Sequence, residues 1–197
     1  MADPLGPTEA VPSLDLLGPQ GPEILRLFTQ PFLRMHRASE LYTARICLLL
    51  LQDLGWEDRL RAGTTLDQLC LGLPDQVRKP LAWMLPFLAY EGLLLRTGEV
   101  FTLGGDPDLD LDGIRALMAA EAPGHGVNFD LLDGVRARIR PFFTEGKAGE
   151  GLLFDLTLFP LWLAYFRNEN LCYHPNNLLT VLALREQLPE EIGRAHV

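Results

Sequence analysis

Residues 64–103 read TTLDQLCLGLPDQVRKPLAWMLPFLAYEGLLLRTGEVFTL, and this stretch decides the fold. A threonine followed three positions later by an acid or amide is a helix start, because its hydroxyl can accept from the third backbone N–H. Thr64 with Asp67 and Thr65 with Gln68 both satisfy that rule, so a short helix is expected over TTLDQLC. A second helix follows, with Val77, Leu81, Met84 and Leu88 on one face and Gly92 as its stop. Pro80 and Pro86 weaken it, since an interior proline costs about 3 kcal/mol of helix stability. LLLRTGEVFTL then reads as a hairpin, Leu93–Arg96 against Glu99–Leu103 around Thr97 and Gly98.

Working outward, SELYTARICLLLLQDLG (residues 39–55) predicts a long helix with Ser39 as its cap. Leu41, Ala44, Leu48 and Leu51 form one stripe, which Ile46, Leu49 and Leu50 widen almost all round. Such a helix is enclosed on several sides, in its own core or against a partner subunit. PEILRLFTQPF (22–32) predicts a shorter helix that breaks at Pro31. The fold class is therefore mainly α, a winged helix-turn-helix with additional linking helices and a short β-hairpin wing. Residues 1–21, rich in proline and glycine and lacking a signal-peptide pattern, form a leader. The winged domain spans 22–105, an acidic linker with a short helix 106–127, and a helical lid region 128–191.

Charge bears on partners. Acids number 26 against 17 Lys plus Arg, a net charge of -9, which repels phosphate backbones and anionic membranes unless a basic patch is segregated. Within residues 64–104, Asp67, Asp75, Glu91 and Glu99 outnumber Arg78, Lys79 and Arg96. Trp83, Phe87 and Tyr90 stand where base-reading side chains would be needed. Neither nucleic acid nor a membrane is an expected partner. Packing against another protein surface is, in a homodimer or against a further domain.

Chemical motifs are sparse. Cys47, Cys70 and Cys172 sit in apolar runs and read as free thiols of a reducing compartment, consistent with a cytoplasmic location. DPDLDLDG (106–113) imitates a calcium loop at Asp108, Asp110, Asp112 and Gly113, but Ala119 occupies the position that needs a bidentate Glu. A solvated linker with Asp112 capping a helix is the better reading. Asn128 is expected to cap the next helix, through Leu131, Leu132, Val135 and Ile139. Cys172 and His174 lack a second ligand pair, so no metal is expected. TEGKAGEG (144–151) lacks the spacing of a phosphate loop. LLFDLTLFPLWLAYF (152–166) carries Asp155 and Pro160 and is too short to span a bilayer, so it reads as a buried helical segment.

The order of elements, with LWLAYFRNENLCYHPNNLLTVLAL (161–184) after the wing, resembles the N-terminal region of S-adenosylmethionine-dependent small-molecule methyltransferases. These are the O-methyltransferase-like enzymes, including those of polyketide pathways. In that family the winged domain mediates dimerisation and the linking helices close the substrate cavity. GRAHV (193–197) resembles the start of the first catalytic strand. No glycine loop follows it here, so the resemblance implies no cofactor site in this chain and S-adenosylmethionine in the complete enzyme. Such a chain is inactive alone, and is either cut from a longer polypeptide or one part of a split enzyme. The closing helix, Pro175 to Leu188, would start at Asn176 or Asn177 and stop at Pro189. By the same resemblance Phe154, Leu158, Trp162, Phe166 and Tyr173 line a cavity for a small organic acceptor. His174, Asn176 and Asn177 lie at its mouth, and His174 is the one candidate base. The alternative reading is a winged-helix adaptor that binds protein and serves no enzyme; a transcription regulator is a third.

Overall fold

In the computed structural model the described residues are 21–187. α1 (Gly21–Leu25) leads into the long α2 (Gln30–Asp53). Thr29, not Ser39, caps α2: its hydroxyl accepts from the Phe32 N–H at 3.3 Å. Pro31 opens this helix instead of breaking one, because a first-turn proline forgoes an N–H that would be unpaired anyway. Ser39 lies a few turns inside.

The winged half follows. α3 (Glu57–Ala62) ends at Gly63, whose φ of 83° turns the chain into β1 (Thr64–Thr65). α4 (Leu66–Cys70) starts with the Thr65–Gln68 capping box, so the second of the two sequence alternatives is the one realised. A 3-10 turn (Asp75–Val77) runs into α5 (Arg78–Tyr90), which buries Leu81, Met84, Leu85 and Leu88 beside Val77. Pro86 supplies no N–H for the Ala82 carbonyl, and Ala82 is on the exposed side, where water can serve. Gly92, at φ 73°, ends the helix as expected, with the Leu93 N–H donating to the Leu88 carbonyl at 2.9 Å.

The wing is β2 (Leu95–Thr97) and β3 (Val100–Thr102), joined by Gly98 and Glu99. The turn falls one residue later than the sequence suggests, since Gly98 with φ 61° suits the first central position of a primed turn. The antiparallel sheet has the order β1-β3-β2, with Thr64 opposite Phe101 and Arg96 opposite Phe101 on the other side. This is a mainly helical chain with a winged-helix architecture.

Two of the remaining helices pack on the other side of α2, and a third places Phe143 in the core on the wing side. α6 (Leu111–Glu121) is capped by Asp110, not Asp112: the Asp110 carboxylate accepts from the Gly113 N–H at 2.7 Å. α7 (Val127–Arg138) precedes α8 (Arg140–Glu145), α9 (Gly149–Leu153), α10 (Phe159–Tyr165) and α11 (His174–Gln187). Asn176 and Asn177 lie within α11, so neither caps it; Leu188, Pro189 and GRAHV fall outside the described residues. Two cores result. One holds Leu48, Leu51, Leu60, Leu69, Leu81, Leu88 and Phe101 beneath the wing. The other joins Met35, Tyr42 and Ile46 of α2 to Ile114, Met118 and Phe129. α2 contributes to both, so the encircling stripe is met within this chain.

Candidate functional site

Residues 152–166 are not a buried segment. They form α9, a turn and α10, with Phe154, Leu156, Phe159, Leu163 and Phe166 all substantially exposed. Leu158 alone is buried there, at 1% exposure. The turn is set by Asp155, whose Oδ1 accepts from the Thr157 hydroxyl and from the backbone N–H groups of Thr157 and Leu158 at 2.5, 2.7 and 2.9 Å. The Thr157 hydroxyl, then the Leu158 N–H, hold this carboxyl below its ordinary range. Above the turn, Trp162 stacks on Phe154 at 5.1 Å between centroids and on Phe166 at 5.7 Å, and Phe166 meets Tyr173 edge-on at 4.9 Å. The Trp162 indole N–H donates to the Leu153 carbonyl at 2.6 Å, which joins α9 to α10.

Four of the eight residues singled out from sequence thus make one continuous band of rings: Phe154, Trp162, Phe166 and Tyr173. Leu158 points away from it, against α7, where Gly134 leaves room for it. Asn177 donates to the Phe166 carbonyl at 3.0 Å and the Asn168 side-chain oxygen at 2.8 Å, fastening the start of α11 to the end of α10. The Asn176 carbonyl accepts from the Thr180 hydroxyl, an ordinary helix contact. His174 follows Tyr173 directly, and its Nδ1 is buried without a hydrogen-bond partner.

Sequence reasoning missed a polar knot beneath this band. Asn128, read as a cap, is buried inside α7. It donates to the Ser39 hydroxyl at 3.3 Å and accepts from the Asn170 amide at 3.0 Å. Asn170 also donates to the Tyr165 carbonyl at 2.7 Å and accepts from the Cys172 N–H at 3.1 Å. The half-buried Cys172 thiol is pushed up by desolvation, so it is a poor nucleophile; Cys47, fully buried, is pushed up to about 12 for the same reason.

A second polar cluster lies between α2, α6 and α7. The Arg115 guanidinium donates to the Tyr42 hydroxyl at 2.9 Å, to Asp130 at 2.8 Å and to Asp133 at 2.6 Å. Burial opposes its charge, but those hydrogen bonds overcome burial and hold its pKa above the ordinary value. Tyr42 is pushed up to about 12, by desolvation first and by its bond to Asp133. Arg115 was the one legible signal, being the only base in residues 106–121. A cleft of about 640 Å3 opens beside it, and a smaller cavity of about 240 Å3 lies on its other side, between Met35, Met118 and Phe129. None of the eight sequence-chosen residues lines either.

The outer side of α5 is the remaining candidate surface. Trp83 is 55% exposed and stacks on Phe87 at 4.9 Å, with Tyr90 75% exposed beside them. Of the bases around this side, Arg78 is held by Asp67 at 2.5 Å and Arg96 curls back to the Gly98 carbonyl at 3.0 Å, while the exposed Lys79, one turn before Trp83, has no ion pair among the described residues. Among the described residues no His, Cys, Asp and Glu cluster could hold a metal, and no helix is long and apolar enough to cross a membrane. Comparison with protein-family models, with curated proteins and with solved structures gives no match to this chain.

Proposed function

We propose that this chain is a winged-helix adaptor that binds protein through the outer face of α5. The observation that carries this reading is the exposed Trp83–Phe87 stack with Tyr90, on the helix where a DNA-binding winged domain presents its basic readers. Aromatic side chains bury large areas at little entropic cost, which makes them effective anchors at protein interfaces. Counterion release, the main source of DNA affinity, needs several free cations, and with Arg78 on its carboxylate only Lys79 is left unpaired on α5 among the described residues. A photo-reactive phenylalanine analogue at position 83 or 90 in cells is expected to form discrete protein adducts, which the same group at Asp58 does not. Adducts to DNA, or none above the Asp58 background, would overturn the reading.

A second reading rests on the ring band of α9–α11. Continuous, and exposed at Phe154 and Phe166, it is suited to cover an apolar cavity of another domain, as the helical lid of an S-adenosylmethionine-dependent methyltransferase would. In that setting Phe154, Trp162, Phe166 and Tyr173 would contact the small organic acceptor, with the cofactor held by the other domain. Leu158 would then be a structural anchor, because it faces α7.

A further inference from the structure

The 640 Å3 cleft between α2, α6, α7 and α8 has a size ordinary for a small-molecule site. Its charged lining consists of Arg115, Arg136 and Arg140 against Asp53, Asp112 and Asp133. Four of these six are paired. Arg136 donates to Asp53 at 2.8 Å, and Arg115 to Asp133 at 2.6 Å. The two left over have opposite sign. Arg140 gives one N–H to the Asp53 backbone carbonyl at 2.5 Å and has no carboxylate partner among the described residues, although a guanidinium carries five donors. Asp112 has neither an ion pair nor a side-chain hydrogen bond among them. It sits in the first turn of α6, where the helix dipole favours its charge. Leu50, Leu54 and Leu111 supply apolar lining between the charged groups.

We infer that this cleft binds a linear zwitterion of the amino-acid type, its carboxylate on Arg140, its ammonium on Asp112 and its aliphatic stem on the three leucines. A plain anion would satisfy Arg140 but leave its tail beside Asp112, and a plain cation would meet the reverse problem. Matching both ends costs no new ion-pair rupture, because the Arg136–Asp53 and Arg115–Asp133 pairs stay intact. The inference also gives Asp112 a role that calcium does not: its neighbour Asp110 is occupied as a helix cap, and Asp108 accepts from the Asp110 N–H at 3.1 Å. It stands independently of the protein-binding reading.

The test is a titration of the full chain, carbon-13 labelled at leucine methyls, with γ-aminobutyrate, ε-aminocaproate, caproate and hexylamine. One of the two amino acids is expected to shift the Leu50, Leu54 and Leu111 methyls saturably, at least about tenfold more tightly than caproate or hexylamine. Asp112→Asn and Arg140→Gln are each expected to weaken it about tenfold, the loss of one charge-assisted hydrogen bond. Wild-type melting curves for the variants would establish that the fold is kept; should Arg140→Gln melt early, Arg140→Lys, which keeps the charge, serves in its place and is expected to bind within a few-fold of wild type. No saturable shift with either amino acid, equal binding by caproate or hexylamine, or unchanged affinity in Asp112→Asn would overturn the inference.

Discussion

Gly134 shows how one hydrogen atom sets a helix spacing. A Cβ placed there would stand 2.5 Å from the Leu158 side chain, which is 1% exposed and cannot swing into water. Alanine ordinarily stabilises a helix interior by roughly 1 kcal/mol over glycine. Here the overpacking cost, about 1–3 kcal/mol, opposes and exceeds that gain. Gly134→Ala is therefore expected to lower the thermal midpoint, and Leu158→Ala to lower it by itself. In the double variant the losses should be clearly less than additive, because the added methyl fills space the leucine vacates. Additive losses in a thermal-denaturation cycle would show that the two residues are not in contact. At this scale the sequence was least legible. Ser39 and Asn128 have the composition of caps, yet both side chains are taken up by a tertiary network that no local pattern encodes.

Elements were more legible wherever one face had to be apolar. The spacing of Val77, Leu81, Met84 and Leu88 located α5 despite two prolines, and all four are buried. Exposure of α9 and α10 was not legible, since hydrophobicity reports a preference for burial and not whether a partner is there to satisfy it. Between elements, α2 and the end of α5 are joined by Arg37 and Glu91 at 2.7 Å, with the Glu91 side chain 1% exposed and its second oxygen unpartnered. Hydrogen bonding to Glu91 raises the Arg37 pKa, so the guanidinium keeps its charge. Such a pair is uneven to break. Arg37→Met strands a buried carboxylate and is expected to cost on the order of 3 kcal/mol, well above Glu91→Gln. Arg37→Met with Glu91→Met should return to within about 1 kcal/mol of wild type. Equal losses for the two single variants in urea unfolding would mean that Glu91 finds water or another donor.

For the molecule as a whole, the order of helix, short helices, long helix and hairpin was legible, because turn chemistry and periodicity agreed across 64–103. The cleft was not, as Tyr42 and Arg115 are brought together from 73 positions apart. The lid reading makes a prediction at this scale. This chain alone should give no stoichiometric heat with S-adenosylmethionine in titration calorimetry, because the glycine turn that lets a backbone approach a nucleotide-type ligand is not in its sequence. A saturable micromolar site would sink it. Finally, α2 is a wall common to two cores, Met35, Tyr42 and Ile46 facing one and Leu48 and Leu51 the other. Neither half can loosen fully without stripping one side of that helix. The slowest deuterium uptake in the protein should therefore be at the backbone amides of residues 42–51, with a single opening free energy shared by both halves.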